Sequence, residues 1–296
     1  MRQRCLLMAP HTHLTLGHSP DPDDAFMFYA LAEGKIDTGG WKFEHILQDI
    51  ETLNHRATRG ELHISAISIH AYASVLDKYA LLPCGASMGD GYGPMLIARA
   101  DTALPDLADT DAVRAWLTSR QIAIPGTMTS AYLALRLFAG EVQTITVPFD
   151  EIFDTVSAGK AEVGLIIHEG QLTYQRDGFT KIVDLGEWWK ADTGLPLPLG
   201  GNVIRKDIAP ADRSAINQVL RESIEYGLEH RADGVAHAMP LARGMDTTLA
   251  DRFIGMYVND FTLDYGDIGR SAIREFLRRG HEAGLLPSLV ELEFVS

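Results

Sequence analysis

Val163-Gly164-Leu165-Ile166-Ile167-His168-Glu169-Gly170 reads as a buried strand that runs straight into a polar turn. A short apolar run bounded by turn residues fits a strand covered on both faces. In open α/β folds, ligands sit at the carboxyl ends of such strands. The stretch therefore puts His168 where a ligand would bind, with a short helix following from Glu169 to Gln175. A lone histidine there more often caps a strand than does chemistry. Its functional reading gains weight from two other polar loops.

Outward from this strand, apolar runs alternate with helical patterns. On its side of the chain lie a helix over Ala112 to Thr118, a strand over Gln121 to Ile124 and the loop Pro125-Gly126-Thr127-Met128-Thr129-Ser130. A helix over Ala131 to Phe138, a strand over Thr144 to Val147, a helix over Glu151 to Ala158 and a strand over Lys181 to Leu185 complete that series. An earlier series has strands at Leu14 to Gly17, Lys42 to Leu47, His63 to Ser68, Tyr79 to Pro83 and Tyr92 to Arg99. Between them fall helices at Ala25 to Glu33, Ile50 to Arg59 and Ile69 to Asp77. Leu195 to Gly201, with two prolines, cannot be helical and leads to a return strand, Asn202 to Arg205. Helices follow at Ala211 to Arg231, Thr247 to Tyr257 and Asp267 to Arg279.

This alternation implies mostly parallel sheets with helices on both faces. Two such series, joined near Arg99 and again near Asn202, predict an α/β protein of two lobes: 13–99 with 202–296, and 100–201. Two crossings form a natural hinge, and the cleft between lobes is the expected ligand site. A two-lobed solute-binding protein is built this way. Residues 1–12 read as a loose leader.

With 46% apolar and 22% charged residues in 296, a sizeable core is expected. The net charge of −14 argues against nucleic acid or an anionic membrane as partner, but leaves room for a small anionic ligand. No apolar run approaches the ~18 residues of a membrane span. The amino-terminal apolar run is too short for a signal peptide, so a cytoplasmic protein is expected. Cys5 and Cys84 have no CxxC neighbour, and reduced thiols fit that compartment. Oligomeric state is not legible.

Small polar groups end four strands: Ser19 to Asp24, Ser65 to Ser68, Thr127 to Ser130, and His168-Glu169. Closing the lobes would bring them together. The turn at Thr129-Ser130-Ala131 is the best anion candidate, since free N–H groups at a helix start bind carboxylates, although an ordinary N-cap reads the same. Asp21, Asp23 and Asp24 could accept from hydroxyls or cap the next helix; magnesium is conceivable there but lacks a second carboxylate cluster. No nucleophile elbow, P-loop or dinucleotide fingerprint is present, and no cofactor or metal is expected.

Four motifs in order resemble those of the 1,4-dihydroxy-6-naphthoate synthase family of menaquinone biosynthesis by the futalosine route. They are His18-Ser-Pro-Asp-Pro-Asp-Asp-Ala-Phe-Met-Phe-Tyr-Ala-Leu31, Pro125-Gly-Thr-Met-Thr-Ser-Ala131, Leu165-Ile-Ile-His-Glu-Gly170 and Leu195-Pro-Leu-Pro-Leu-Gly200. The resemblance spans most of residues 14 to 280. It implies a periplasmic-binding-protein-like (type II) fold used as a cofactor-independent lyase on cyclic dehypoxanthine futalosine. By motif, His168 matches the proton acceptor, and Ser130, Ala131 and the segment Ala66, Ile67, Ser68 match substrate contacts. Ser19, Thr129 and Glu169, at the same strand ends, join them as expected contacts with an anionic substrate. Many members read Ser-Pro-Cys-Pro-Asn-Asp-Thr where this chain has Ser-Pro-Asp-Pro-Asp-Asp-Ala, which keeps the turn and changes its polar surface. Chorismate dehydratase of the same pathway, a non-catalytic solute-binding protein and a pyrimidine-precursor enzyme of this fold are the alternatives.

Overall fold

A computed structural model describes residues 12–296. All but the last residue of the expected leader, and Cys5 with it, lie outside the described residues. The strands are β1 (His13–His18), β2 (Lys42–Leu47), β3 (Ile64–Ser68), β4 (Tyr79–Leu81), β5 (Ser87–Gly89) and β6 (Met95–Arg99). They continue with β7 (Gln121–Ile124), β8 (Gln143–Thr146), β9 (Val163–Ile166), β10 (Phe179–Asp184) and β11 (Leu197–Arg205). One sheet has the order β2-β1-β3-β11-β4, with β5 also on β11; the other has the order β10-β6-β9-β7-β8.

Both sheets are mixed, where the sequence pattern suggested mostly parallel ones. β1 runs parallel to β2 and β3, and β7 parallel to β8 and β9. β11 is antiparallel to β3, β4 and β5, and β6 is antiparallel to β9 and β10. The antiparallel strands are those on which the chain passes between sheets. β6, expected in the first unit, stands in the second sheet between β9 and β10. Leu96, Ile97 and Ala98 are all fully buried, so this strand needs cover on both faces and takes an interior position. The return strand starts at Leu197, five residues before Asn202. Pro198 has no N–H to donate, and the pairing with short β5 shifts register between Pro198 and Gly200.

Several helices differ from their periodicity. The expected helix from Ala25 to Glu33 is two pieces, Pro22–Met27 and Tyr29–Ala32, because Phe28 leaves helical geometry. That from Ile69 to Asp77 stops at Tyr72. Leu185–Thr193 is a helix that the sequence reading missed; the Asp184 carboxylate accepts from the N–H groups of Gly186 and Glu187 and caps it. Its Trp189 is wholly buried, with Nε1 donating to the carbonyl of Pro196 at 3.1 Å.

The largest core cluster is continuous between the sheets. Ile67 and Val203 from the first sheet share it with Leu96, Ile122 and Leu165 from the second, and Trp189, Tyr265 and Phe276 join them. Separate clusters fill the outer faces, around Leu16, Phe26 and Ile224 on one side and Ile97, Ile152 and Phe179 on the other. Among the described residues no helix is long and apolar enough to cross a membrane.

The link from the first sheet to the second passes Gly93, whose backbone lies against Gly186. A Cβ on Gly186 would stand 1.9 Å from the carbonyl oxygen of Tyr92 and 2.6 Å from the nitrogen of Gly93. Backbone atoms cannot rotate away as a side chain can. Gly186→Ala is therefore expected to cost about 1–3 kcal/mol, read as a lower urea midpoint with an unchanged slope.

Candidate functional site

A cleft of ≈ 130 Å³ opens between the sheets. At ~10–15 Å³ for a single water, that is space for a small molecule. Seven of the nine residues expected from the sequence line it. Ser19 follows β1; Ala66, Ile67 and Ser68 end β3; Thr129, Ser130 and Ala131 open the helix Ser130–Ala139 after β7.

The hydroxyls differ in what they have left to give. Thr129 Oγ1 accepts from the N–H of Tyr132 at 3.1 Å and donates to the carbonyl of Gly126 at 3.0 Å, so it is the N-cap and its proton is spent. Ser130 Oγ accepts from the N–H of His70 at 3.2 Å, which leaves its O–H free to donate. Ser68 Oγ accepts from Asn54 Nδ2 at 3.0 Å, and the Asn54 carbonyl oxygen takes the Ser68 N–H at 2.9 Å. Ser68 and Ser130 are both buried, and each is held by a bond it accepts. The cleft thus carries one hydroxyl from each sheet, poised to donate, as an anionic ligand requires.

Bonds between the two sides close the cleft. The Glu51 carboxylate, in the helix Ile50–Thr58, accepts from the N–H of Met128 at 3.1 Å. His70 Nδ1 lies 3.2 Å from the carbonyl of Thr129; a carbonyl only accepts, so the ring donates from Nδ1. Tyr257 donates to Gln171 Oε1 at 2.5 Å, and both residues line the cleft. From the sequence His70 reads as structural or exposed, for want of ligand spacing, and Asn54, Gln171, Asn202 and Tyr257 sit in no motif; only the fold brings the five to the cleft and its strand ends.

His168 and Glu169 line an adjoining cavity with Asp150, Phe153, Arg176 and Arg243, while Ile167 and Gln171 on either side face the main cleft. The His168 ring packs edge-on against Phe149 and Phe153, both with centroids at 5.7 Å. Burial pulls its pKa below the usual value, opposed by the carboxylates of Glu169 and Asp21, so the ring is neutral at neutral pH. Its Nδ1 accepts from the N–H of Gly170 at 3.0 Å, which places the ring proton on Nε2. Nε2 is buried and has no hydrogen-bond partner among the described residues.

The three aspartates of the opening motif have separate surroundings. Asp21 pairs with Arg243 at 2.7 Å. Asp24 Oδ2 accepts from the N–H of Ser19 at 2.6 Å, and burial lifts its pKa to about 7. Asp23 lines the cleft, but its Oδ1 is shielded and has no hydrogen-bond partner among the described residues. Burial, then the charges of Asp24 and Asp21, push its pKa well above the carboxylate range. Cys84 is a buried free thiol, with Sγ 3.3 Å from Asn217 Oδ1. Among the described residues no three His, Cys, Asp or Glu side chains are grouped to hold a metal ion.

This architecture, two mixed sheets about a ligand cleft, is that of the periplasmic binding proteins. The alkanesulfonate-binding protein of Xanthomonas axonopodis, solved with MOPS bound, superposes with a TM-score of 0.69 at 14% identity, over 95% of this chain and 96% of that one. A crystal structure of a protein from Archaeoglobus fulgidus reaches 0.86 at 39% identity, over 94% of this chain and all of that one. A family profile described as menaquinone biosynthesis matches residues 14–282. Two relatives named 1,4-dihydroxy-6-naphthoate synthase bear this out. That of Streptomyces coelicolor is 37% identical over 93% of this chain and 95% of its own length. That of Thermus thermophilus is 36% identical over 92% and 95%. The chain belongs to this menaquinone-biosynthesis family.

The raised pKa of Asp23 has a consequence for stability. Its folded-state value lies above its unfolded value, near 3.8, so the folded protein holds a proton that the unfolded chain releases. That contribution is complete below about pH 4 and is lost as pH rises through the folded value. Asp23→Asn stays neutral throughout. It is expected to melt on the order of 2–5 °C higher than wild type at pH 8, with the gap closing toward pH 4; equal gaps at both pH values in calorimetry would refute the assignment.

Proposed function

We propose that this chain is a 1,4-dihydroxy-6-naphthoate synthase: a lyase, with no cofactor, that converts cyclic dehypoxanthine futalosine to 1,4-dihydroxy-6-naphthoate. Family membership supports the reaction. The observation that carries it to this site is the pair of buried serine hydroxyls, Ser68 and Ser130, each left with one proton to donate across the cleft. In this reading the substrate carboxylate lies between them, with the N–H groups at Ser130 and Ala131 beside it, and the two sheets belong to lobes that close over it.

The chemistry needs a proton removed and the sugar-derived part expelled, and the aromatic product supplies the driving force. His168 is the proposed proton acceptor. Its neutrality supports the role, since a neutral imidazole has a lone pair to offer. To offer it at Nε2, the ring must carry its proton on Nδ1, so the N–H of Gly170 must first turn away. Giving up that one bond costs about 0.5–1.5 kcal/mol, small beside the about 10²–10⁴-fold that a positioned base contributes. Movement of the lobes also has to open the cavity around His168 toward the main cleft. A binding protein that holds its ligand unchanged is the second reading, favoured only by the likeness to the alkanesulfonate-binding protein.

Incubation of the purified protein with cyclic dehypoxanthine futalosine, followed by chromatography, separates the two: formation of the naphthoate supports the lyase, and tight binding without conversion supports the carrier. In the same assay Ser130→Ala is expected to raise KM about tenfold or more, from the about 1.5–3 kcal/mol of a hydrogen bond to a charged group. An unchanged KM would leave Ser130 as a support for His70 alone. His168→Gln is expected to lower kcat by about 10²–10⁴ with binding retained. The acid limb of the wild-type profile should lie below about pH 6.5, the side to which burial moves the histidine. A mutant with near wild-type turnover would place the base elsewhere.

A further inference from the structure

Arg243 follows the helix Arg231–Ala238, which packs on Pro22–Met27 against the first sheet. From there its guanidinium touches both sides of the cleft. Nη2 donates to the carbonyl of Pro20 at 3.1 Å, and Nη1 donates to Asp21 Oδ1 at 2.7 Å, both in the turn after β1. Nη1 also lies 3.3 Å from Glu169 Oε2, in the turn after β9 of the second sheet. The same group covers the ring of Phe149, also on the second sheet's side, at 4.7 Å from its centroid. Asp21 lines the main cleft and Glu169 lines the cavity of His168, so one side chain spans the boundary between them.

The backbone adds a second observation. Arg243 has φ 41°, and among the described residues it is the only non-glycine with positive φ. That conformation is unfavourable for a side-chain-bearing residue and persists where the surroundings over-determine it. Gly244 follows and takes the left-handed region at no cost, but the strain falls on the arginine itself. Of the other bridges, Glu51 to Met128 and Ser130 to His70 each have one partner fixed in the backbone, and Tyr257 to Gln171 joins two buried side chains. Arg243 joins carboxylate side chains from both sides and is itself partly exposed, so water can take over its bonds and it can let go.

We infer that Arg243 is a positioning residue for the reaction: it clasps the cleft shut by joining Asp21 to Glu169, and by fixing Glu169 it sets the surroundings of His168. Release of the clasp opens the passage between the His168 cavity and the main cleft, so the clasp governs ligand exchange as well as turnover. The inference rests on the proposed reaction only for the identity of its ligand.

The test uses 1,4-dihydroxy-6-naphthoate as binding probe with wild type, Arg243→Gln, Arg243→Lys, Glu169→Gln and the Glu169→Gln/Arg243→Gln double variant. Arg243→Gln is expected to release the naphthoate at least tenfold faster in stopped-flow measurements, with association altered less than threefold and kcat/KM lowered. Arg243→Lys keeps the charge for the carboxylates but has no second nitrogen for the Pro20 carbonyl and no plane to lay on Phe149, and is expected to fall between. On the Glu169→Gln background, Arg243→Gln should add less than twofold, because the ion pair across the cleft is already lost. Wild-type release should quicken with added NaCl, and that of Arg243→Gln should not. Release within twofold of wild type in Arg243→Gln, or independent effects of the two substitutions, would overturn the inference. Small-angle scattering without ligand judges the clasp separately: a larger radius of gyration in Arg243→Gln than in wild type supports it even if the naphthoate fails to bind, and equal radii overturn it.

Discussion

The carboxylate of Glu51, seated on the backbone N–H of Met128, is the contact from which the geometry of the cleft follows. It joins a helix of the first sheet to a loop of the second, and that loop runs directly into Thr129 and Ser130. With Met128 fixed, Thr129 caps its helix, Ser130 meets the N–H of His70, and the Ser130 hydroxyl comes to face the cleft that Ser68 lines from the other side. A charge-assisted bond to a backbone group suits this task, being strong and having one geometry. It leaves the serines unspent, whereas direct bonding between them would have closed the site to any ligand.

Much of this was legible because strand ends are legible. Apolar runs with abrupt polar ends place β1, β3, β7 and β9, and the polar residues just past them are those that line the cleft or its neighbouring cavity. What could not be read was pairing. A strand's direction relative to its neighbours depends on contacts distant in sequence, so β6 and β11 gave no sign that they would run against the others. Nor does a hydroxyl's remaining capacity show in a motif. Thr129 and Ser130 are adjacent and chemically alike, yet one is consumed as a cap and the other is free to donate. Asn54 and His70, which decide how Ser68 and Ser130 are held, lie in ordinary helical stretches without a distinguishing pattern.

His168 shows the same division. Its position at the end of β9 follows from the sequence, but its tautomer follows from the N–H of Gly170, and its isolation from Phe149, Phe153 and the Arg243 pairings. A buried donor with no partner is costly, about 1–3 kcal/mol. A site that leaves one so is tensioned toward the state in which a ligand or a moved loop supplies the missing group.

The Glu51 contact also constrains how the sequence can vary. A Cβ on Gly126 would meet the Glu51 side chain at 2.2 Å. Any larger residue at 126 therefore collides with the same carboxylate that fixes Met128. Position 126 cannot drift alone: a larger residue there demands that the Glu51 side chain be shortened or displaced, and either gives up the clamp on Met128. Mutational paths that start from this chain thus have to cross a valley there, and the two positions should be inherited as a pair.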